Sequence, residues 1–277
     1  MKVAVLSGKG GTGKTFVSVN LATVAENSIY ADCDIEEPNG HIFLKLGEVE
    51  REKVNVKIPV VDNDKCNGCR ICVDFCRYNA LAYINKNLII FDDICHSCGG
   101  CTLLCPEDAL HEVDRGIGVI EKGISDDVTV YTGILNVGEI SGVPIIENIM
   151  DKVDNGQGTT IIDCPPGTAC TVIETVKNAD YCIIVAEPSI FGVHNLNMAI
   201  DLVKLFDKPF GVVLNKCLPD FDPAEAYCQE NSIKILAKIP FDRELGKLNA
   251  DGYIISKESP KYQELFTHLL DSIEKGG

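Results

Sequence analysis

The sequence predicts an α/β chain: a doubly wound, mostly parallel sheet interrupted by a small cysteine-rich α+β insertion. Three observations carry this expectation. Short apolar runs alternate with helical patterns along most of the 277 residues, the rhythm of successive β-α-β units. The first apolar run passes directly into a glycine-rich turn, Ser7 to Thr15. Two cysteine runs of one spacing, C-x2-C-x2-C-x3-C, lie between Cys66 and Cys105.

Lys2 to Leu6 reads as the first strand, and Ser7-Gly8-Lys9-Gly10-Gly11-Thr12-Gly13-Lys14-Thr15 stands between it and a helical segment. That is a phosphate-binding loop. Glycines let consecutive backbone N–H groups turn inward on a polyphosphate, Lys14 reaches the β and γ phosphates, and the Thr15 hydroxyl ligates Mg2+. The helix that starts there aims its positive end at the anion. Gly8, Gly10, Gly11, Thr12 and Gly13 complete the cradle expected of a P-loop NTPase. Ala31-Asp32-Cys33-Asp34 closes a second short strand. Ile117 to Ile120, Val128 to Thr132, Thr160 to Asp163, Cys182 to Ala186, Phe210 to Asn215 and Lys234 to Ile239 read as further strands, with helical patterns such as Asn195 to Leu205 and Ala224 to Glu230 between them. Thr160 to Asp163 ends in an acid, as a Walker B strand does, which places Asp163 near the magnesium shell. In a parallel sheet of this kind the ligand lies at the C-terminal edge of the strands. Asn39 follows a proline and reads equally as a turn residue or part of a switch.

Cys66, Cys69, Cys72 and Cys76, and again Cys95, Cys98, Cys101 and Cys105, show the ligand pattern of a paired cubane iron–sulfur module. Three cysteines two residues apart on a tight loop reach three irons of one cube, and the fourth is carried away to the other. The expected ligand sets are therefore Cys66, Cys69, Cys72 with Cys105, and Cys95, Cys98, Cys101 with Cys76, for two [4Fe-4S] clusters. Zinc fits poorly, because no histidine occupies a ligand slot. This places an inserted domain at 58–115, between Ile58-Pro59-Val60-Val61 and the turn at Asp114-Arg115-Gly116, inside a nucleotide-binding domain of 1–57 and 116–277.

With these residues in hand, the cysteine stretch resembles bacterial-type two-cluster ferredoxins. Cys105-Pro106 matches their Cys-Pro ending and Cys76-Arg77 departs from it. The phosphate loop, with Lys9 as a second lysine inside it, resembles the deviant Walker A group of P-loop ATPases: MinD, ParA, the Mrp cluster carriers and the nitrogenase iron protein. The chain as a whole resembles MinD/Mrp-superfamily ATPases with an inserted ferredoxin domain. That resemblance implies ATP and Mg2+ as ligands and an ATP-dependent homodimer in which Lys9 reaches the partner's phosphates; a solvated loop charge is the plainer reading of Lys9. It implies that Asp34, in the first switch, orients the attacking water, and that the Gly167 amide senses the γ-phosphate as the second switch. It implies that Asn215 contacts adenine, and that Lys9, Lys14 and Asp34 are catalytic. Cys170 falls where the nitrogenase iron protein places a ligand of its subunit-bridging cluster, and so is a speculative bridging ligand here.

The net charge of −16 argues against a nucleic-acid partner. Acidic surfaces suit docking to a basic redox or cargo protein. The sequence shows no basic, apolar leader and no bilayer-long apolar run, so a reducing cytoplasm is expected, with the 14 cysteines not used as disulfides. Tyr262, Leu265, Phe266, Leu269, Leu270 and Ile273 follow helical spacing, but Glu264, Asp271 and Glu274 on the polar face oppose anionic lipid, so this helix is expected on its own core and no membrane is expected. Cys182 and Cys217, within or beside apolar strands, read as buried small hydrophobes, and Cys33 and Cys164 flank the nucleotide site, where packing is the plainer reading. His41, His96, His111, His194 and His268 show no paired ligand spacing and receive no catalytic role. Two functions of different class follow: an ATPase coupling a nucleotide-driven dimer switch to electron transfer through the clusters, and an assembly or carrier ATPase for iron–sulfur clusters or another metallocofactor. A ParA-like positioning ATPase with redox sensing ranks below both.

Overall fold

Val3, Ala4, Val5 and Leu6 are fully buried, and the strand they form, β1 (Lys2–Leu6), has a parallel neighbour on each side. The computed structural model describes residues 1–154, 158–219 and 222–274. From β1 the chain continues through α1 (Lys14–Val24), β2 (Ile29–Asp32), α2 (Gly40–Phe43), β3 (Glu50–Val61), α3 (Ile71–Phe75), β4 (Leu81–Ile84), β5 (Asn87–Ile90), α4 (Gly100–Leu103), β6 (Leu110–Ser125), β7 (Val128–Leu135), α5 (Val143–Val153), β8 (Thr160–Asp163), α6 (Cys170–Lys177), β9 (Tyr181–Ala186), α7 (Ile190–Leu205), β10 (Phe210–Cys217), α8 (Pro223–Glu230), β11 (Ile235–Pro240), α9 (Arg243–Ala250), α10 (Ile255–Glu258) and α11 (Pro260–Glu274).

The sheet order is β11-β10-β9-β1-β8-β2-β7-β6-β3, and every pair from β11 to β7 is parallel. The mostly parallel α/β expectation therefore holds. Parallel alignment puts the C-terminal ends of β1, β8, β2, β9 and β10 on one edge, where the phosphate loop, Asp34, Asp163, Glu187 and Asn215 all follow or end strands. Behind that edge, α1 is buried through Phe16, Val17, Val19, Leu21 and Ala22, and α11 packs on it through Phe266, whose ring meets Phe16 edge-on at 5.9 Å. Tyr262, Phe266, Leu269, Leu270 and Ile273 of α11 are buried in this core. Among the described residues no helix is long and apolar enough to cross a membrane.

Two elements run further than their sequence patterns suggest. The helix expected over 195–205 begins at Ile190, because the Ser189 hydroxyl caps it by accepting from the Gly192 N–H at 2.9 Å. The strand expected over 117–120 extends over Leu110–Ser125, since its exposed polar positions interrupt the apolar run without interrupting the ladder.

By internal contacts the chain forms two compact units, one of Met1–Glu52, Ile120–Ile134 and the chain from Ile145, the other of Lys53–Val119 and Leu135–Pro144. The second unit is wider than 58–115. Its added segment is held by Arg115, which donates to both Glu139 carboxylate oxygens at 2.7 and 2.8 Å, and by the Asn136 N–H on the Ile117 carbonyl at 2.9 Å. Within this unit β4 and β5 form an antiparallel hairpin that turns at Asn85 and Lys86, both at positive φ. Leu81, Leu88, Cys101 and Leu110 form its small core, with Cys66, Cys72, Cys76 and Cys105 packed against it.

The two halves of this unit repeat in backbone detail. Left-handed residues occur at Gly68, Arg70 and Asn79, and again 29 positions on at Ser97, Gly99 and Asp108. The Phe91 N–H bonds the Ala80 carbonyl at 2.8 Å, and the Asp62 N–H bonds the Ala109 carbonyl at 2.7 Å, the same exchange with the halves swapped.

Candidate functional site

The glycine loop between β1 and α1 lines a cavity of about 610 Å³, the scale of a small-molecule cleft. Gly11 and Gly13 take φ of 77 and 99°, which glycine supplies without strain. A Cβ on Gly8 would come within 2.2 Å of the Asn195 carbonyl oxygen, so the second turn of α7 presses directly on the loop. Lys14, buried at 6% exposure, joins Gly10, Gly11, Gly13 and Thr15 in the lining. These backbone amides, one buried ammonium and a hydroxyl suit a polyphosphate. Thr12 Oγ1 and Asp163 Oδ1 are buried with no hydrogen-bond partner. An orphaned carboxylate oxygen beside Lys14 is what a hydrated Mg2+ would satisfy, so the donor set fits magnesium with a nucleotide.

Asp34 lines the same cavity, half-buried. Burial raises its carboxyl to about 6, against the opposing pull of the Lys14 ammonium. Asp32 and Asp163 are fully buried neighbours in register on β2 and β8, and burial raises both. Asp32 closes the loop that follows it, accepting from the Gly40 N–H at 2.8 Å and the Asp34 N–H at 3.2 Å. The Gly167 N–H is bonded to the Ser7 carbonyl at 3.0 Å, so the amide expected to sense a γ-phosphate lies against the phosphate loop. Asn215 is buried; its amide nitrogen donates to the Thr12 carbonyl at 2.8 Å and its oxygen accepts from the Lys216 N–H at 3.0 Å, which makes it a brace of the loop as well as a cavity wall. Asn39 also lines the cavity.

Several participants escaped the sequence reading. The Lys9 ammonium pairs with Glu187, just past β9, and Lys216 reaches from 3.8 Å to the same carboxylate while donating to the Gly11 carbonyl at 2.7 Å. The far wall of the cavity comes from Phe241, Leu245, Gly246 and Asn249 on and before α9. Position at the end of an apolar strand was the available signal for Glu187; α9 offered none. Cys170 is exposed at the first turn of α6 and outside the cavity lining. Cys33 and Cys164 are buried, and burial is the chief cause that raises both thiols. Cys182 and Cys228 are also buried, whereas Cys217 is partly exposed.

The eight cysteines of the doubled run divide between two other cavities. One is lined by Cys66, Cys69, Cys72 and Cys105; the other, of about 240 Å³, by Cys76, Cys95, Cys98 and Cys101. All are free thiols. Backbone N–H groups point at three of the sulfurs: Ala80 at Cys76 (3.4 Å), Ala109 at Cys105 (3.3 Å) and Ser97 at Cys95 (3.5 Å). Such N–H···S contacts suit thiolate ligands. Among the described residues no three His, Cys, Asp or Glu side chains converge on a single ion. Each cavity gathers four thiols, the number that a [4Fe-4S] cube takes, so the donor sets suit that group. His96 stacks on Tyr78 at 3.6 Å between ring centres and lines the cavity of Cys76, Cys95, Cys98 and Cys101.

The parallel sheet and the loop-to-helix cradle define a P-loop ATPase of the MinD/ParA type. Residues 3–254 match the family described as the CobQ/CobB/MinD/ParA nucleotide binding domain, and the chain belongs to that family. It is 32% identical over 280 residues to an uncharacterized protein of Methanocaldococcus jannaschii, covering 99% of this chain and 97% of that one. An iron-sulfur cluster carrier protein of Pyrococcus horikoshii is 26% identical over 303 residues, covering 99% of this chain and 87% of the relative. Among solved structures, Pyrococcus furiosus cell division ATPase MinD superposes with a TM-score of 0.63 at 19% identity over 100% of this chain and 99% of that one. The septum site-determining protein MinD of Pyrococcus horikoshii, complexed with Mg-ADP, gives 0.62 at 18% over 99% and 96%.

Proposed function

We propose that this ATPase carries two [4Fe-4S] clusters in a ferredoxin-like insertion at 58–115 and couples an ATP-driven homodimer switch to electron transfer toward a redox protein. The observation that supports the clusters best is the division of the eight cysteines into two cavities, each taking three ligands from one run and the fourth from the other. Cys66, Cys69, Cys72 and Cys105 hold one cube; Cys95, Cys98, Cys101 and Cys76 hold the second. When bound, the clusters supply one-electron chemistry.

The residues of the nucleotide site have separate tasks. Backbone amides from Gly8 to Gly13 and the Lys14 ammonium bind the phosphates, while Thr15 and Asp163 orient Mg2+. Asp34 positions the attacking water, Gly167 responds to the γ-phosphate, and Asn215 borders the adenine side. Lys9 belongs to a deviant Walker A loop: it leaves Glu187 and reaches the partner's nucleotide in the dimer.

A second reading, delivery of clusters or another metallocofactor to an acceptor, is favoured by the names of relatives such as the Pyrococcus horikoshii iron-sulfur cluster carrier protein. Anaerobic purification, iron and sulfide counts, and a reduced EPR spectrum with a redox titration, each with and without ATP, test both. About eight irons per chain and a nucleotide-dependent shift are expected for two resident cubes under ATP control. Eight irons with no shift, and passage of a cluster to an apo-acceptor under chelator, would replace the first reading with the second. Iron above eight would bring in a bridging cluster at Cys170.

A further inference from the structure

One buried side chain links the two carboxylate-bearing strands of the nucleotide site and has no part in the scheme above. Tyr30, on β2, is fully buried, and its hydroxyl donates to Asp163 Oδ2 at 2.9 Å. The other carboxylate oxygen, Oδ1, makes no hydrogen bond of good geometry, although the Thr15 and Ser18 hydroxyls lie near enough to the carboxylate to lower its pKa. Tyr30 also abuts Gly40: a Cβ there would lie 2.4 Å from the ring and 2.6 Å from the hydroxyl oxygen. Gly40 is also the residue whose N–H Asp32 fixes at 2.8 Å, at the end of the loop that carries Asp34. A phenol buried in an apolar helix–sheet layer needs a partner for its O–H. Here the partner is the Walker B carboxylate and not a backbone carbonyl.

We propose that Tyr30 is a positioning residue for the ATPase: it pins Asp163 by Oδ2 so that Oδ1 faces the magnesium shell, and it ties that carboxylate to the first-switch loop through Gly40. The proposal rests on the reading of Asp163 as a magnesium-shell residue. It uses one oxygen for support and leaves one for the ion, the arrangement by which an outer partner orients a ligand and sharpens metal affinity. It also explains why Gly40 has no side chain, since any Cβ would push the phenol off Asp163.

Tyr30→Phe keeps the ring and removes only the hydroxyl. Losing a hydrogen bond to a charged group is expected to raise about ten-fold the Mg2+ concentration that half-saturates binding of a fluorescent ATP analogue. Affinity for the analogue without Mg2+, and KM for ATP at saturating Mg2+, are expected to stay within about two-fold of wild type. Gly40→Ala, which displaces the phenol, is expected to shift the Mg2+ dependence in the same direction, and the double variant to be no worse than the more affected single one. A Tyr30→Phe protein with a lower melting temperature and unchanged Mg2+ dependence overturns the proposal, because a merely structural hydroxyl would behave that way. Asp163→Asn separates the two levels. If it abolishes Mg2+ dependence while Tyr30→Phe leaves that dependence unshifted, only the role of Tyr30 fails; if it too leaves Mg2+ dependence intact, the reading of Asp163 fails with it.

Discussion

Asp34 holds its proton to about pH 6 because burial outweighs the attraction of Lys14. A carboxyl raised in the folded state binds its proton more tightly there than in the unfolded chain. Its contribution to stability is therefore greatest below the ordinary carboxylate range and is lost as pH rises through about 6. On the proposed role of Asp34, activity runs the other way, since a carboxylate that orients water must be ionised. The free-enzyme profile, kcat/KM for ATP against pH, is expected to fall below about pH 6. Asp34→Asn should lower the rate about 100-fold or more and flatten that limb; an unmoved limb in the variant would assign it to another group. Gly8 makes a second residue-scale prediction. Its Cβ would meet the Asn195 backbone at 2.2 to 2.8 Å, where no side chain can give way. Gly8→Ala is expected to cost about 1–3 kcal/mol in urea unfolding and to weaken nucleotide binding with it. The positions of Lys14, Asp34 and Asp163 beside the phosphate loop were legible in the sequence, because the loop and the strand ends fix them; their roles remain those proposed above. Tyr30 was not legible, since a phenol inside an apolar strand acquires meaning only through register between strands distant in sequence, and Glu187 offered only its place at the end of an apolar strand.

At the scale of elements, the apolar strands and the strand–loop–helix start were legible because each is local. β6 was underestimated because an exposed, polar-rich strand lacks a continuous apolar run, and the segment 135–144 gave no sign that Arg115 would recruit it. The repeat in the second unit was legible as spacing. Its structural counterpart is the recurrence of left-handed backbone 29 residues apart, together with the swapped bonds from Phe91 and Asp62. That exchange of chain between halves generates a prediction that neither run would give alone. Cys66→Ala, Cys105→Ala and their double variant are all expected to lose the same cube and retain about half the iron, although the two residues lie in different runs. Cys101→Ala combined with Cys105→Ala is expected to lose nearly all of it, although both lie in one run. Iron content and EPR spin counts on anaerobic protein decide; if each run serves its own cluster, the two double variants exchange their results.

For the whole molecule the question is which functions separate when one residue is changed. The nucleotide cavity is lined only by residues of the first unit. Both cysteine cavities are lined only by residues of the second, which has its own core around Leu81, Leu88 and Leu110. Loss of a phosphate contact should therefore leave the cubes in place. Lys9 and Lys14, five residues apart in one loop, should in turn fail differently. Lys14 is buried in the cradle, so Lys14→Ala is expected to abolish ATP binding. Lys9 is partly exposed and paired with Glu187 outside the cradle's lining, so Lys9→Ala should still bind ATP but remain monomeric in sedimentation with ATP and Mg2+, where wild type is expected to dimerise. Both variants should keep eight irons and an unaltered reduced spectrum without nucleotide, and both should lose nucleotide-dependent electron transfer, one for want of ATP and the other for want of a partner's lysine. ATP-stimulated transfer that survives in Lys14→Ala removes nucleotide control altogether. Stimulation that survives only in Lys9→Ala keeps the control and removes the dimer from it.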